Sequence, residues 1–192
     1  MAQQKSSKEE LLQITKNKEE RYQQLLAAAR AEIEAINAIL AGKGDEEKVG
    51  EVKGGEVIAY VIEGSSCNSS GTHLHFTVAD RSGDPQNPFN YLKEVDHQNC
   101  SSCYSYNDCP CPESDSFSPS GSWNWPLNAP IILTQGYGNT WAVNHIPWLR
   151  NIYTFHNGID IIGSSNSVKA VKDGVLYRGS YTGGGGCALP YV

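Results

Sequence analysis

The chain has no long apolar run. Its 192 residues include one methionine and four phenylalanines. No stretch approaches the roughly 20 consecutive apolar residues that cross a bilayer as a helix, so no membrane span is expected. The first residues also lack the apolar centre of an export signal. Positive charge is scarce: 15 Lys and Arg stand against 21 Asp and Glu, a net charge of −6. That balance argues against a nucleic-acid partner and gains nothing from anionic lipid. No internal repeat is evident, so solenoid and propeller architectures are set aside.

What is present falls into a helical part and a strand-rich part. Residues 8–41 carry a helical period. Leu11, Thr15, Lys18, Tyr22, Leu25, Ala29, Ile36 and Ile39 follow alternating four- and three-residue steps, widened by Ile33 and Leu40. Thr15 and Lys18 weaken the first half of that seam. Two readings stay open. Either the helix packs on its own domain, or it forms a coiled coil and residues 8–41 take a helical partner or a second copy. Gly42-Lys43-Gly44-Asp45 supplies the stop, because glycine is the usual residue just past a helix end.

From Val49 the period changes. Short runs such as Val57-Ile58-Ala59-Tyr60-Val61-Ile62 and His73-Leu74-His75-Phe76-Thr77-Val78 are separated by Gly, Ser and Asn clusters. That is the pattern of antiparallel strands. The expected fold class is mainly β, an antiparallel sheet-rich domain after one long helix. The divisions are 1–44 for the helix and 45–192 for the domain. Within the domain, 45–93 and 122–192 are strand-rich, and 94–121 is a linker. Tandem glycines at 183–186 read as a mobile connecting loop.

Cysteine gives the compartment. Cys100, Cys103, Cys109 and Cys111 crowd into the linker, which is rich in Ser, Asp and Pro and cannot build a core. Disulfides are the favoured reading, and a second zinc site involving His97 is the alternative. Cys67 and Cys187 either pair with each other or are small buried thiols. An even count fits an oxidising, extracytoplasmic location.

Two motifs carry the chemistry: His73-Leu74-His75 and His156-Asn157-Gly158-Ile159-Asp160. Side chains alternate faces along a strand, so His73 and His75 share a face, as do His156 and Asp160. Imidazole and carboxylate groups converging on one cleft suit Zn²⁺ with one position left for water. His145 and His97 read as loop and linker residues. Of Trp123, Trp125, Trp141 and Trp148, at least two are expected in the core.

The flanking residues sharpen this. Gly71-Thr72-His73-Leu74-His75-Phe76 and Phe155-His156-Asn157-Gly158-Ile159-Asp160-Ile161 resemble the two zinc motifs of the M23 metallopeptidases, the lysostaphin-like cell-wall endopeptidases. Val52 to Ala59, Asn87 to Leu92, Trp125 to Leu127 followed by Ile132 to Gly138, and Val168 to Val175 resemble other segments of that family. The likeness covers roughly residues 49–93 and 122–192. In the family HxxxD precedes HxH; here the order is reversed, so the chain resembles a circularly permuted member. Permutation is tolerated where termini lie close together. The family's other histidine, in a Tyr-x-His-Leu-like strand, would fall after Tyr191-Val192, so the expectation is either a fragment, apparently truncated there, or a domain that lacks that histidine and the strand carrying it. The resemblance implies a duplicated-hybrid-motif type of β domain with His75, His156 and Asp160 as zinc ligands. It gives His73 a catalytic role, moving a proton or stabilising an oxyanion. It implies hydrolysis of peptide crosslinks in bacterial peptidoglycan. A non-catalytic activator or wall-binding module is the competing class.

Overall fold

The computed structural model describes residues 2–69, 71–103, 109–184 and 186–192. Helix α1 spans Ala2–Leu40, beginning earlier than the apolar period suggests. Its end matches expectation. Gly42 takes φ 69°, and the Gly42 and Lys43 amides donate to the Ile39 and Ala38 carbonyls, which satisfies groups a helix end would otherwise leave unpaired. Residues 13–24 are exposed, while Ala28, Ala35, Ile36 and Ala38 are buried. The downstream half therefore packs on its own domain. The Leu11 side chain lies outside the described residues.

Strands follow in the order β1 (Asp45–Val52), β2 (Val57–Tyr60), β3 (Leu74–Phe76), β4 (Val78–Ala79), β5 (Pro85–Gln86), β6 (His97–Asn99) and β7 (Ile131–Gln135). Short helices α2 (Trp141–His145) and α3 (Pro147–Arg150) come next. Then come β8 (Ile159–Ile162), β9 (Ser167–Lys169), β10 (Gly174–Thr182) and β11 (Ala188–Tyr191). The sheets are β1-β10-β11, β2-β9, β3-β8-β7-β6 and β4-β5. Three of these combine strands from both sides of the linker, so neither half completes its sheets alone.

The pairings are antiparallel with one exception, β6 on β7. The linker 94–121 thus contributes a strand as well as its crosslinks. His97, Gln98 and Asn99 run parallel to Ile131, Ile132 and Leu133 and form the edge of the site-bearing sheet. The linker also lends Phe117, which stacks between His97 and Trp125 at centroid distances of 3.6 and 5.6 Å.

The core consists of Phe89, Leu92, Trp125, Leu127, Ile131, Leu133, Ile159, Ile161 and Val168, with Leu74, Phe76 and Trp123 packed against it. Alternation does the sorting. Ile159 and Ile161 of β8 and Leu74 and Phe76 of β3 face the core, which leaves Asp160 and His75 for the other face. Trp125 is buried and its indole donates to the Lys93 carbonyl at 2.7 Å.

Disulfides join Cys67 to Cys187, Cys100 to Cys109 and Cys103 to Cys111. No cysteine is free. The alternative of a cysteine zinc site is thereby overturned, since a disulfide sulfur is not a thiolate ligand. Linker residues 104–108 and Gly185 of the glycine loop lie outside the described residues. Among the described residues, no helix is long and apolar enough to cross a membrane.

Candidate metal centre

His75 and Asp160 are paired across β3 and β8. Nδ1 of His75 lies 2.8 Å from Oδ1 of Asp160. His156 enters from the segment before β8, fixed by reciprocal 2.8 Å backbone bonds with Gly138. Its Nε2 is 3.5 Å from the same Oδ1. The ligand atoms of these three residues all lie within 4.8 Å of one another. Tetrahedral zinc with bonds of about 2.0–2.1 Å needs donors about 3.3 Å apart. The 2.8 and 3.5 Å separations bracket that value.

Tautomers support the same donors. Nδ1 of His156 is 2.6 Å from the Gly136 carbonyl oxygen. A carbonyl only accepts, so Nδ1 carries a proton and Nε2 is the atom presented to Asp160. His75 offers Nδ1, while its Nε2 sits 3.0 Å from the Thr77 hydroxyl. Thr77 lies two residues on, on the same face, and the sequence reading overlooked this signal. Two imidazole nitrogens and one carboxylate, each imidazole tied back by its second nitrogen, fit a zinc-type ion.

Gly158 is required by close packing. A Cβ there would lie 2.6 Å from Nε2 of His75 and 2.7 Å from both the Phe76 carbonyl and the Thr77 hydroxyl. The glycine of the His-Asn-Gly-Ile-Asp motif lets β8 approach β3 closely enough for the ligands to meet.

In the metal-free chain the carboxylate and the imidazoles favour one another's charged forms. Burial disfavours a charged His156, but the Asp160 carboxylate and the Gly136 carbonyl outweigh it and raise its pKa. Burial likewise opposes ionisation of Asp160, yet His156, His73 and His75 hold its pKa well below the usual range. His73 is pushed up to about 9: burial lowers it, and Asp160 and Glu32 more than compensate. Burial and Asp160 raise the Tyr153 phenol, which bonds Gln135 at 2.8 Å.

His73 stands beside the three ligands. Its Nε2 is 4.0 Å from Oδ1 of Asp160 and 3.1 Å from Oε1 of Glu32 on α1. Its Nδ1 is 3.0 Å from the Gly71 carbonyl and 3.4 Å from the Ser69 hydroxyl. Glu32 has no counterpart in the sequence reading; no local spacing links it to a histidine 41 residues later. His145 is exposed at the end of α2, and His97 is exposed on β6. Neither joins the site. Asp115 of the linker braces the site from behind. Its carboxylate accepts from the Gly136 and Trp141 amides at 2.8 and 2.6 Å, fixing the residue whose carbonyl orients His156.

Comparison with known proteins finds no matching family model, no similar curated protein and no similar solved structure.

Proposed function

We propose that this chain is a zinc-dependent endopeptidase of the M23 type, circularly permuted, acting on the peptide crosslinks of bacterial peptidoglycan outside the cytoplasm. The observation that carries the metal part is the convergence of His75, His156 and Asp160, with His156 held in the tautomer that frees Nε2. The substrate rests on the sequence resemblance. The extracytoplasmic location is supported by three disulfides.

Zinc, when bound, supplies a water of lowered pKa and polarises a carbonyl. The chain's own residues do the rest. Gly136 and Thr77 orient the two imidazoles. Asp160 contributes the negative charge that offsets the cation. His73 holds its Nδ1 proton on the Gly71 carbonyl, so its Nε2 is the nitrogen suited to exchange a proton with water or to donate to a developing oxyanion.

The test loads the full chain and its Glu32→Ala variant with one equivalent of zinc and measures release of new amino termini from purified peptidoglycan. Cleavage lost in His73→Ala, with zinc retained, supports the reading. Zinc bound without cleavage of any wall peptide by either form favours the second class, a non-catalytic activator or wall-binding module. The specific observation on that side is Glu32 bound to Nε2 of His73.

A further inference from the structure

Helix α1 lies against the metal centre, and three side chains of its last turns reach the segments that build it. Glu32 Oε1 is 3.1 Å from Nε2 of His73. Asn37 Oδ1 accepts from the Asn157 side-chain amide at 3.3 Å, beside the ligand His156. Glu34 accepts from the Gly184 amide at 3.4 Å.

The meaning of the first contact is set by His73. Its Nδ1 is bound to the Gly71 carbonyl, so Nε2 is the nitrogen left for water or substrate. A carboxylate that orients a working histidine holds one nitrogen and leaves the other free. Here both nitrogens are engaged, and Glu32 holds the one facing Asp160. Glu32 is therefore an occupant of the site and does not prepare it for reaction.

Among the described residues, the fully buried positions of α1 are Ala28, Ala35, Ile36 and Ala38, three of which bring only a methyl group; its larger side chains Leu25, Leu26, Ile33, Ile39 and Leu40 are only half-buried. Asn157 is also buried, and its Oδ1 has no hydrogen-bond partner. A buried acceptor without a donor is a cost that the docked arrangement carries.

The geometry points to a built-in inhibitor: Glu32, carried on α1, occupies the substrate-facing nitrogen of His73 and keeps the centre closed until the helix is drawn off. This rests on the hydrolase reading only for what is inhibited; the occlusion itself is testable without metal. The probe is diethyl pyrocarbonate on the zinc-free full chain over a series of pH values, with carbethoxylation of His73 followed by peptide mass spectrometry and the rates compared at the high-pH plateau, where the imidazole is unprotonated in every form. Glu32→Ala removes the occupant. Ala35→Arg keeps Glu32 but forces a charged side chain into the buried face of α1. Both are expected to modify His73 at least tenfold faster than the native chain. Equal rates in all three overturn the inference, because His73 would already be open. Acceleration in Glu32→Ala alone overturns it too, because Glu32 would then alter the imidazole without covering it. If Ala35→Arg does not fold, Ile36→Ala, which trims the largest buried side chain of α1 without adding bulk, takes its place under the same criteria. A chain that binds no zinc would sink the hydrolase reading and leave this outcome standing.

Discussion

His75 and Asp160 are direct cross-strand neighbours, 85 residues apart in sequence and 2.8 Å apart at Nδ1 and Oδ1. One register position on β3 and β8 therefore sets half of the donor geometry. A slip of one residue in either strand would turn that strand's donor into the core.

From this pairing, one zinc per chain is expected, and His75→Ala, His156→Ala and Asp160→Ala should each remove it. Elemental analysis of protein purified without chelator checks this. Stoichiometric metal in all three variants would mean that the ligands are elsewhere. A value near two would mean a second site outside the group identified here.

Gly158→Ala should be damaging although it adds one methyl group. The added carbon meets His75, Phe76 and Thr77 at 2.6–2.7 Å. Overpacking of this kind costs about 1–3 kcal/mol, and the displaced atom is His75 Nε2. A lowered denaturation midpoint together with weakened zinc binding is the expected result. Unchanged zinc affinity would show that β3 and β8 can separate without disturbing the donors.

Stability of the zinc-free chain should fall on both sides of neutrality. The folded pKa of His73 is raised from 6.5 to about 9, and that of His156 is raised as well. Their contribution is complete below pH 6.5 and is lost as pH rises through the folded values. Asp160 works in the opposite sense. Its pKa is depressed, so its contribution is present above the ordinary carboxylate value and disappears as pH falls through the lowered one. Each group gives a slope of at most about 1.4 kcal/mol per pH unit. Urea midpoints between pH 6.5 and 9 should decline, and Glu32→Gln should flatten that decline. Zinc affinity should rise over the same interval, because the ion displaces the proton from Nε2 of His156. A flat urea profile with a flat zinc affinity would contradict both.

Removing the Cys67–Cys187 bridge should cost more than removing either linker bridge. It closes 120 residues, against 9 and 8 for the other two. Chain-entropy reasoning gives about 5 kcal/mol for such a loop as an upper figure, with about 2–5 typical of native bridges. The double variant Cys67→Ala/Cys187→Ala, compared with Cys100→Ala/Cys109→Ala by guanidinium denaturation, ranks them. A smaller loss for the long-range bridge would mean that native contacts already hold that loop.

Much of the site was readable because its signals are local. His73-x-His75 and His156-x-x-x-Asp160 obey strand alternation, and Gly158 lies inside its own motif. The β class followed from period-two runs between turn residues, and the stop after Leu40 from Gly42. The unread parts are contacts between elements. Glu32 meets His73 only because α1 folds back on the sheet, and a glutamate in a helical sequence carries no mark of its future neighbour. β6 was missed because His97-Gln98-Asn99 has no apolar alternation; its pairing is decided by β7 and by the Cys100–Cys109 crosslink next to it. Asp115 reads as one more acidic loop residue until its carboxylate is seen holding two backbone amides.

The interval between β3 and β8 also sets a timetable for biosynthesis. Among the described residues β3 has β8 as its one sheet neighbour, so it leaves the ribosome unpaired. Synthesis proceeds at roughly 5–20 residues per second, and the 85 residues to Asp160 delay its pairing by on the order of ten seconds. Cys67 waits longer, for Cys187. All four linker cysteines emerge before that partner, each a competing thiol. Early oxidation would trap mispaired chains, so correct maturation depends on late oxidation or on an isomerase that reopens the wrong bonds.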